Sequence, residues 1–144
     1  MDINATLDEQ LQWQPEERDE RSVLIVDDEH AIADVLAHHL RRQGYRTTVA
    51  TNGRDAIDVA HRESPDLVLL DIRLPDIDGF TVCRQLDESP ETCGIPVVFL
   101  SGMDRPDVVR QSRAAGGAYF MHKPYDPNAL LIVIEHAISE ASEF

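Results

Sequence analysis

Ser22-Val23-Leu24-Ile25-Val26-Asp27-Asp28 is an apolar, β-branched run that stops abruptly at two acids. Such a run is too short for a buried helix and has the composition of a strand covered on both faces. Two further runs share the design: Leu67-Val68-Leu69-Leu70 ends in Asp71, and a run closing at Met121 leads into His122-Lys123-Pro124. Lys123 is the only lysine in the chain, the other twelve basic residues all being arginine. A compact ammonium suits a phosphate oxygen as a point charge in a way that a forked guanidinium does not easily replace. Three carboxylates and one ammonium therefore terminate three expected strands.

Outward from Arg21, β-rich runs alternate with segments of helical period, and the alternation reads as β-α repeated five times, which implies a parallel α/β sheet. The first helix is expected from Asp28 or Glu29, with Ile32, Val35, Leu36, His39 and Leu40 on its inward face and Gly44 as its stop. Arg46 to Ala50 is the second strand. Thr51 or Asn52 caps a second helix carrying Ala56, Ile57 and Ala60 inward and ending before Ser64-Pro65. The third strand covers Asp66 to Asp71. A turn-rich stretch, Leu74 to Gly79, precedes a helix with Phe80, Cys83 and Leu86 inward. Pro96 to Ser101 is the fourth strand, about Arg105 to Ala115 a weakly amphipathic fourth helix, and Ala118 to Met121 the fifth strand. The last helix starts near Pro127. It buries Leu130, Leu131, Ile134, Ala137, Ile138 and Ala141, while Ile132 and Val133 spill onto a second face that suggests a contact surface, such as a homodimer's.

A length of 144 residues accommodates one ordinary domain and one substantial core. The apolar runs are far too short to cross a bilayer. Met1-Asp2-Ile3-Asn4 lacks the basic start and apolar middle of a secretory signal, so a cytoplasmic location is expected. Cys83 and Cys93 form no paired ligand motif, which argues against zinc and a disulfide framework and leaves them as reduced thiols. A formal net charge of −14 opposes direct binding to nucleic acid and favours cationic partners and divalent metals. Residues 1–20 hold seven acids against Arg18 alone, and read as an acidic, disordered extension in which Leu7, Leu11 and Trp13 offer a short amphipathic turn for docking.

In an open parallel sheet, ligands gather at the carboxyl ends of the strands. Asp27, Asp28, Asp71, Ser101 and Lys123 all fall there. Crowded carboxylates need a proton, a cation or a metal to coexist, and an oxygen-only set selects a hard ion such as Mg²⁺. A carboxylate beside such an ion can attack phosphorus, and Asp71 is the central candidate. Each residue has a plainer role open to it: Asp28 as a helix cap, Asp71 as a strand-ending turn residue, Ser101 as a loop hydroxyl, Lys123 as a surface charge. Their joint placement along one edge is what the plainer roles do not explain.

These motifs, Val23 to Asp28, Leu69 to Gly79, Pro96 to Gly102 and Lys123-Pro124, resemble the receiver domain of two-component response regulators of the chemotaxis-regulator type. The likeness spans about Arg21 to Ser142. It implies a flavodoxin-like (βα)5 doubly wound sandwich with five parallel strands in the order 2-1-3-4-5. It further implies that Asp71 is the phosphoacceptor, that Asp27, Asp28, Asp71 and the carbonyl of Arg73 bind Mg²⁺ (Asp27 through water), and that Ser101 and Lys123 hold the phosphoryl oxygens. The implied donor is a phosphohistidine on a sensor histidine kinase or a histidine phosphotransfer protein. The implied output surface, and homodimer surface, is the fourth helix, fifth strand and fifth helix. The Lys123-Pro124 peptide is expected to be cis.

One departure stands out. The family's switching tyrosine falls three residues before the lysine, where this chain has Phe120, and Tyr119 is one position off, on the opposite face of the strand. Phe120 cannot supply the hydroxyl, so coupling is expected to run through packing. Arg73 and Met103 stand close to Asp71 and Ser101 in sequence and are expected to govern water access. Two other classes remain: a metal-dependent phosphohydrolase with an aspartyl-phosphate intermediate, disfavoured because Arg73 stands where a second acid belongs, and a phosphorylation-independent interaction module. A nucleotide-binding module is weaker still, since no glycine-rich loop follows the first strand. Nothing after the last helix resembles an output domain, so the receiver is expected either to stand alone or to come from a longer regulator.

Overall fold

The computed structural model describes residues 21–103 and 106–142. The acidic extension with Leu7, Leu11 and Trp13, the expected start of the fourth helix at Arg105, and Glu143-Phe144 lie outside the described residues.

Among the described residues five strands and five helices alternate: β1 (Ser22–Val26), α1 (His30–Arg42), β2 (Arg46–Ala50), α2 (Gly53–Glu63), β3 (Leu67–Asp71), α3 (Gly79–Glu88), β4 (Val97–Ser101), α4 (Pro106–Ala114), β5 (Tyr119–His122) and α5 (Pro127–Ala141). The strands form one parallel sheet in the order β2-β1-β3-β4-β5. This is the expected (βα)5 flavodoxin-like arrangement. Two apolar layers sandwich the sheet, and the strand period of two sorts side chains between them. Leu24, Val26, Val68, Leu70, Val97 and Phe99 face one layer, with Ala56, Val82 and Leu86 from the helices above them. Val23, Ile25, Leu67, Leu69, Val98 and Leu100 face the other, against Ala33, Leu40, Leu130 and Ile134. Burial on both sides is why these strands read as continuous apolar runs rather than alternating ones.

Several details differ from the reading of the sequence. The face of α1 turned to the sheet is Ala33, Leu36, Ala37 and Leu40, whereas Ile32 is 40% and Val35 72% exposed. Two alanines, Ala33 and Ala37, let the helix settle close to the sheet, and the larger Ile32 and Val35 are left outside, with His39 half-buried. With Tyr125 and Pro127, Ile32 and Val35 line an open apolar shelf. Second, α1 begins at His30 with Glu29 at its N-cap position, so Asp28 is not the cap. Element ends elsewhere move by a residue, which is ordinary for such boundaries. Asn52 caps α2 as expected, accepting from the Asp55 N–H at 2.9 Å. On α5, Leu130, Ile134, Ala137 and Ile138 are buried and Ile132 is 69% exposed as expected, but Val133, expected on the outer face with it, is half-buried against the core because it lies one residue before Ile134 at the edge of the buried stripe. Both cysteines are free, Cys83 buried and Cys93 exposed, and burial pushes the Cys83 thiol up to about 12. Among the described residues no helix is long and apolar enough to cross a membrane.

Candidate functional site

Each strand of the central trio hands over from core to cleft within one residue. Leu70 is fully buried and Asp71 follows it at the end of β3; Val26 is buried and Asp27 follows β1; Leu100 is buried and Ser101 ends β4. The parallel register aligns these ends, with Val26 opposite Leu70, Asp71 opposite Leu100 and Ser101 opposite His122. Lys123 is one residue past β5, and its backbone N–H donates to the Ser101 carbonyl at 2.7 Å, tying the ends of β4 and β5 together. The Lys123-Pro124 peptide is cis, as expected.

The side chains converge. The Lys123 Nζ donates to Asp71 Oδ2 at 3.1 Å and to Asp27 Oδ2 at 3.3 Å. Asp27, Asp28 and Asp71 each offer an oxygen within 4.8 Å of the others, with Asp27 buried, Asp71 half-buried and Asp28 exposed. The remaining oxygens are held by backbone donors: Glu29 N–H to Asp27 Oδ1 at 3.0 Å, and Arg73 N–H to Asp71 Oδ1 at 3.1 Å. The buried Ser101 Oγ accepts from the Met103 N–H at 3.0 Å. The cleft is lined by Asp28, Glu29, Asp71, Arg73, Ser101, Gly102, Met103 and Lys123. All six residues singled out in the sequence are therefore at one place, five of them on the cleft wall and Asp27 beneath, bound to Lys123.

Burial pushes the Asp71 carboxyl above the usual carboxylate range, against the opposing pull of Lys123 and the Arg73 N–H. Burial also pushes the Lys123 ammonium down, but the charges of Asp71 and Asp27 outweigh it and hold the amine above its ordinary value. Such a cluster of anions around a single amine has room for a further cation. An all-oxygen donor set with partial hydration fits Mg²⁺ rather than a soft transition metal. Three acids in reach of one another, one of them exposed to water, meet that requirement.

Phe120 and Tyr119 point to opposite sides of the sheet, as the strand period required: Phe120 packs with the layer containing Phe99, and Tyr119 with the layer containing Leu130. The Tyr119 hydroxyl donates to Glu140 on α5, and its ring meets His136 edge-on. Tyr119 thus faces away from the Phe120 layer.

Three features escaped the sequence. Glu29 lines the cleft and ties down Asp27. A Cβ on Gly79 would lie 2.4 Å from the Asp71 carbonyl oxygen and 2.8 Å from the Ile72 Cα, so glycine is required for the β3–α3 loop to fold back on the strand. Asp76 accepts from the N–H groups of Gly53 at 2.8 Å and Arg54 at 2.9 Å, across 22 or 23 residues of chain. The tight turn around Pro75 and Gly79 was a legible hint of the second; the third is non-local and left no local signature.

A sequence model of the response regulator receiver domain matches residues 23–135, and the chain belongs to that family. A CheY-like receiver domain protein from Methanospirillum hungatei is similar at 27% identity and TM-score 0.81, over 86% of this chain and 98% of that one. The signal receiver domain of a signal transduction histidine kinase from Syntrophus aciditrophicus is similar at 32% identity and TM-score 0.78, over 83% and 91%. A chemotaxis protein from Vibrio cholerae is similar at 25% identity and TM-score 0.78, over 82% and 98%. The fold and the acidic cluster are those of a phosphoacceptor signalling domain, whose catalysis is confined to its own phosphorylation and dephosphorylation.

Proposed function

We propose that residues 21–142 form a receiver that takes a phosphoryl group on Asp71 from a phosphohistidine. The observation that carries this reading is the Lys123 ammonium held between Asp71 and Asp27, with Asp28 and Ser101 on the same cleft. Asp27, Asp28, Asp71 and the Arg73 carbonyl are the groups that would hold Mg²⁺. When bound, that ion supplies positive charge that lets two anions approach and stabilises charge on the transferring group.

An Asp71 carboxylate oxygen attacks phosphorus in line; the bond from phosphorus to the donor imidazole nitrogen breaks as the bond to Asp71 forms, and the imidazole leaves with the electron pair. Lys123 exchanges its contact with Asp71 for a phosphoryl oxygen, keeping Asp27 as its second partner. Ser101 releases its contact with the Met103 N–H and turns its hydroxyl to another phosphoryl oxygen. Arg73 and Met103, both on the cleft wall, control water access and so the lifetime of the acyl phosphate. The inward movement of Ser101 frees space into which Phe120 packs, shifting the equilibrium between two forms of the surface made by α4, β5 and α5. Replacing Phe120 with alanine leaves Asp71 phosphorylation intact and impairs partner binding; unchanged binding would contradict this route.

The donor is carried by a histidine kinase or a phosphotransfer protein, and the apolar shelf of Ile32, Val35, Tyr125 and Pro127 beside the cleft offers it a dry contact. The α4-β5-α5 surface, with Ile132 exposed next to it on α5, is the candidate for a homodimer or an output partner. The cytoplasm, where such donors act, is the proposed location. A phosphohydrolase with an aspartyl-phosphate intermediate is disfavoured by arginine, which cannot act as an acid or base, two positions after Asp71. Incubation with a small acyl phosphate and Mg²⁺ tests the reading: one phosphoryl group per chain is expected, lost on chelation or in Asp71→Asn. Sustained turnover would indicate the hydrolase, and no reaction an inert interaction module.

A further inference from the structure

The β3–α3 loop follows directly on Asp71 and carries Arg73, yet it runs for seven residues, Ile72 to Asp78, before α3 begins. Loops of this length are normally mobile. Two devices oppose that here. The Gly79 N–H donates to the Ile72 carbonyl at 2.7 Å and closes the loop on itself. Asp76 then fastens the closed loop to a different element. Its two oxygens accept from Gly53 and Arg54, the first two residues of α2, while the third N–H of that helix goes to the Asn52 side chain and the fourth to the Asn52 carbonyl. The first turn of α2 is therefore fully satisfied, half of it by a residue from another loop. Ile77, next to Asp76, lies against Gly53 so closely that a Cβ there would stand 2.5 Å from its side chain.

We propose that Asp76 is a positioning residue of the phosphorylation site: by clasping the β3–α3 loop to α2 it fixes the backbone of Arg73 where its carbonyl can serve as a metal ligand. The inference rests on the reading of the cleft as an Mg²⁺ site. Asn52 provides an internal control, because it caps the same helix turn through side-chain hydrogen bonds to Asp55, within α2 itself. Loss of Asn52 weakens α2, whereas loss of Asp76 weakens α2 and also releases the loop.

The test uses the full chain with ¹⁵N labelling, and reads amide exchange and Mg²⁺ titration by amide shifts for the wild type, Asp76→Ala, Asp76→Asn and Asn52→Ala. Asp76→Ala is expected to speed exchange of the Gly79 N–H and to weaken Mg²⁺ binding by about tenfold, the usual scale for losing support behind a metal ligand. Asp76→Asn, which keeps the shape and one accepting oxygen, shows a smaller loss in the same direction, and carries the comparison if the alanine variant does not fold. Asn52→Ala lowers thermal stability but leaves Mg²⁺ affinity within about twofold of wild type, since capping alone does not reach the loop. Wild-type affinity in a folded Asp76 variant, or an equal loss in Asn52→Ala, overturns the proposal. A wild-type chain that gives no Mg²⁺ response overturns the metal-site reading itself, and this inference with it.

Discussion

Two loops feed acids into the same cleft, and they are held by opposite means. The β1–α1 loop is only Asp27, Asp28 and Glu29; its shortness, the Glu29 N–H on Asp27 and the Asp27 N–H on the Ala50 carbonyl leave it little freedom. The β3–α3 loop is more than twice as long and owes its shape to contacts made far away in sequence, at Gly53, Arg54 and its own far end at Gly79. The short loop is fixed by chain connectivity, and the long one by hydrogen bonds that can be removed one at a time. Substitutions should therefore act on the short loop mainly through charge, and on the long loop through geometry.

The largest effect sharpens what the loops share. Lys123 bridges them through Asp27 and Asp71, and Lys123→Ala removes two charged hydrogen bonds from a half-buried setting. The contact that matters for the rate is the one Lys123 gives to the transferring phosphoryl group; one charged hydrogen bond there is worth about 2 kcal/mol, so phosphorylation by a small acyl phosphate should slow roughly thirtyfold, measured as an initial rate at saturating Mg²⁺. A rate near wild type would mean that the amine serves only to hold the two loops together.

Gly79→Ala breaks the long loop selectively. The new Cβ would meet backbone rather than a yielding side chain, at 2.4 Å from the Asp71 carbonyl oxygen, so the loop must shift. Overpacking of this kind costs about 2 kcal/mol, read as a lower urea midpoint with an unchanged slope. The amide shifts of Ile72 and Arg73 should move while those of Asp27 and Glu29 stay; movement in both loops would deny their independence.

The smallest effect concerns acid. Burial raises the Asp76 carboxyl, but the N–H groups of Arg54, Gly53 and Ile77 outweigh it and hold it at about 2. An unfolded aspartate titrates at about 3.9. A depressed value means that the folded state gains stability from this group above about pH 4 and loses it as pH falls toward about 2. Asp76→Asn, which keeps an accepting oxygen but removes the charge at the start of α2, should therefore cost about 0.5 kcal/mol near neutral pH, with the gap to wild type closing across that window in urea titrations. A gap that persists unchanged at pH 2 would assign the loss to something other than the carboxylate charge.

The same contrast marks what could be read from the residues alone. β1, β3 and β4 are continuous apolar runs because both faces of the sheet are covered, and the acids and serine that end them fall at one edge through parallel register. Those features are local, so Asp27, Asp28, Asp71, Ser101 and Lys123 were legible, and Arg73 followed from the family motif. The inward face of α1 was misread because Ile32 and Val35 outweigh Ala33 and Ala37 in hydropathy, although close approach to a sheet favours the small pair. The Asp76 clasp was illegible for a different reason: an aspartate after Pro75 looks like any turn residue, and only folding brings α2 beneath it. Phe120 and Tyr119, by contrast, took the opposite faces that a period of two assigns them.

The most direct measurement is to find which side chain carries the phosphoryl group. Treatment with a small acyl phosphate and Mg²⁺, followed by borohydride, reduces an aspartyl phosphate to homoserine at the residue that held it. Peptide mapping should then find homoserine at position 71 alone, and none when the metal is chelated. Homoserine at another aspartate, or at position 71 irrespective of metal, would contradict the role assigned to this cluster of acids.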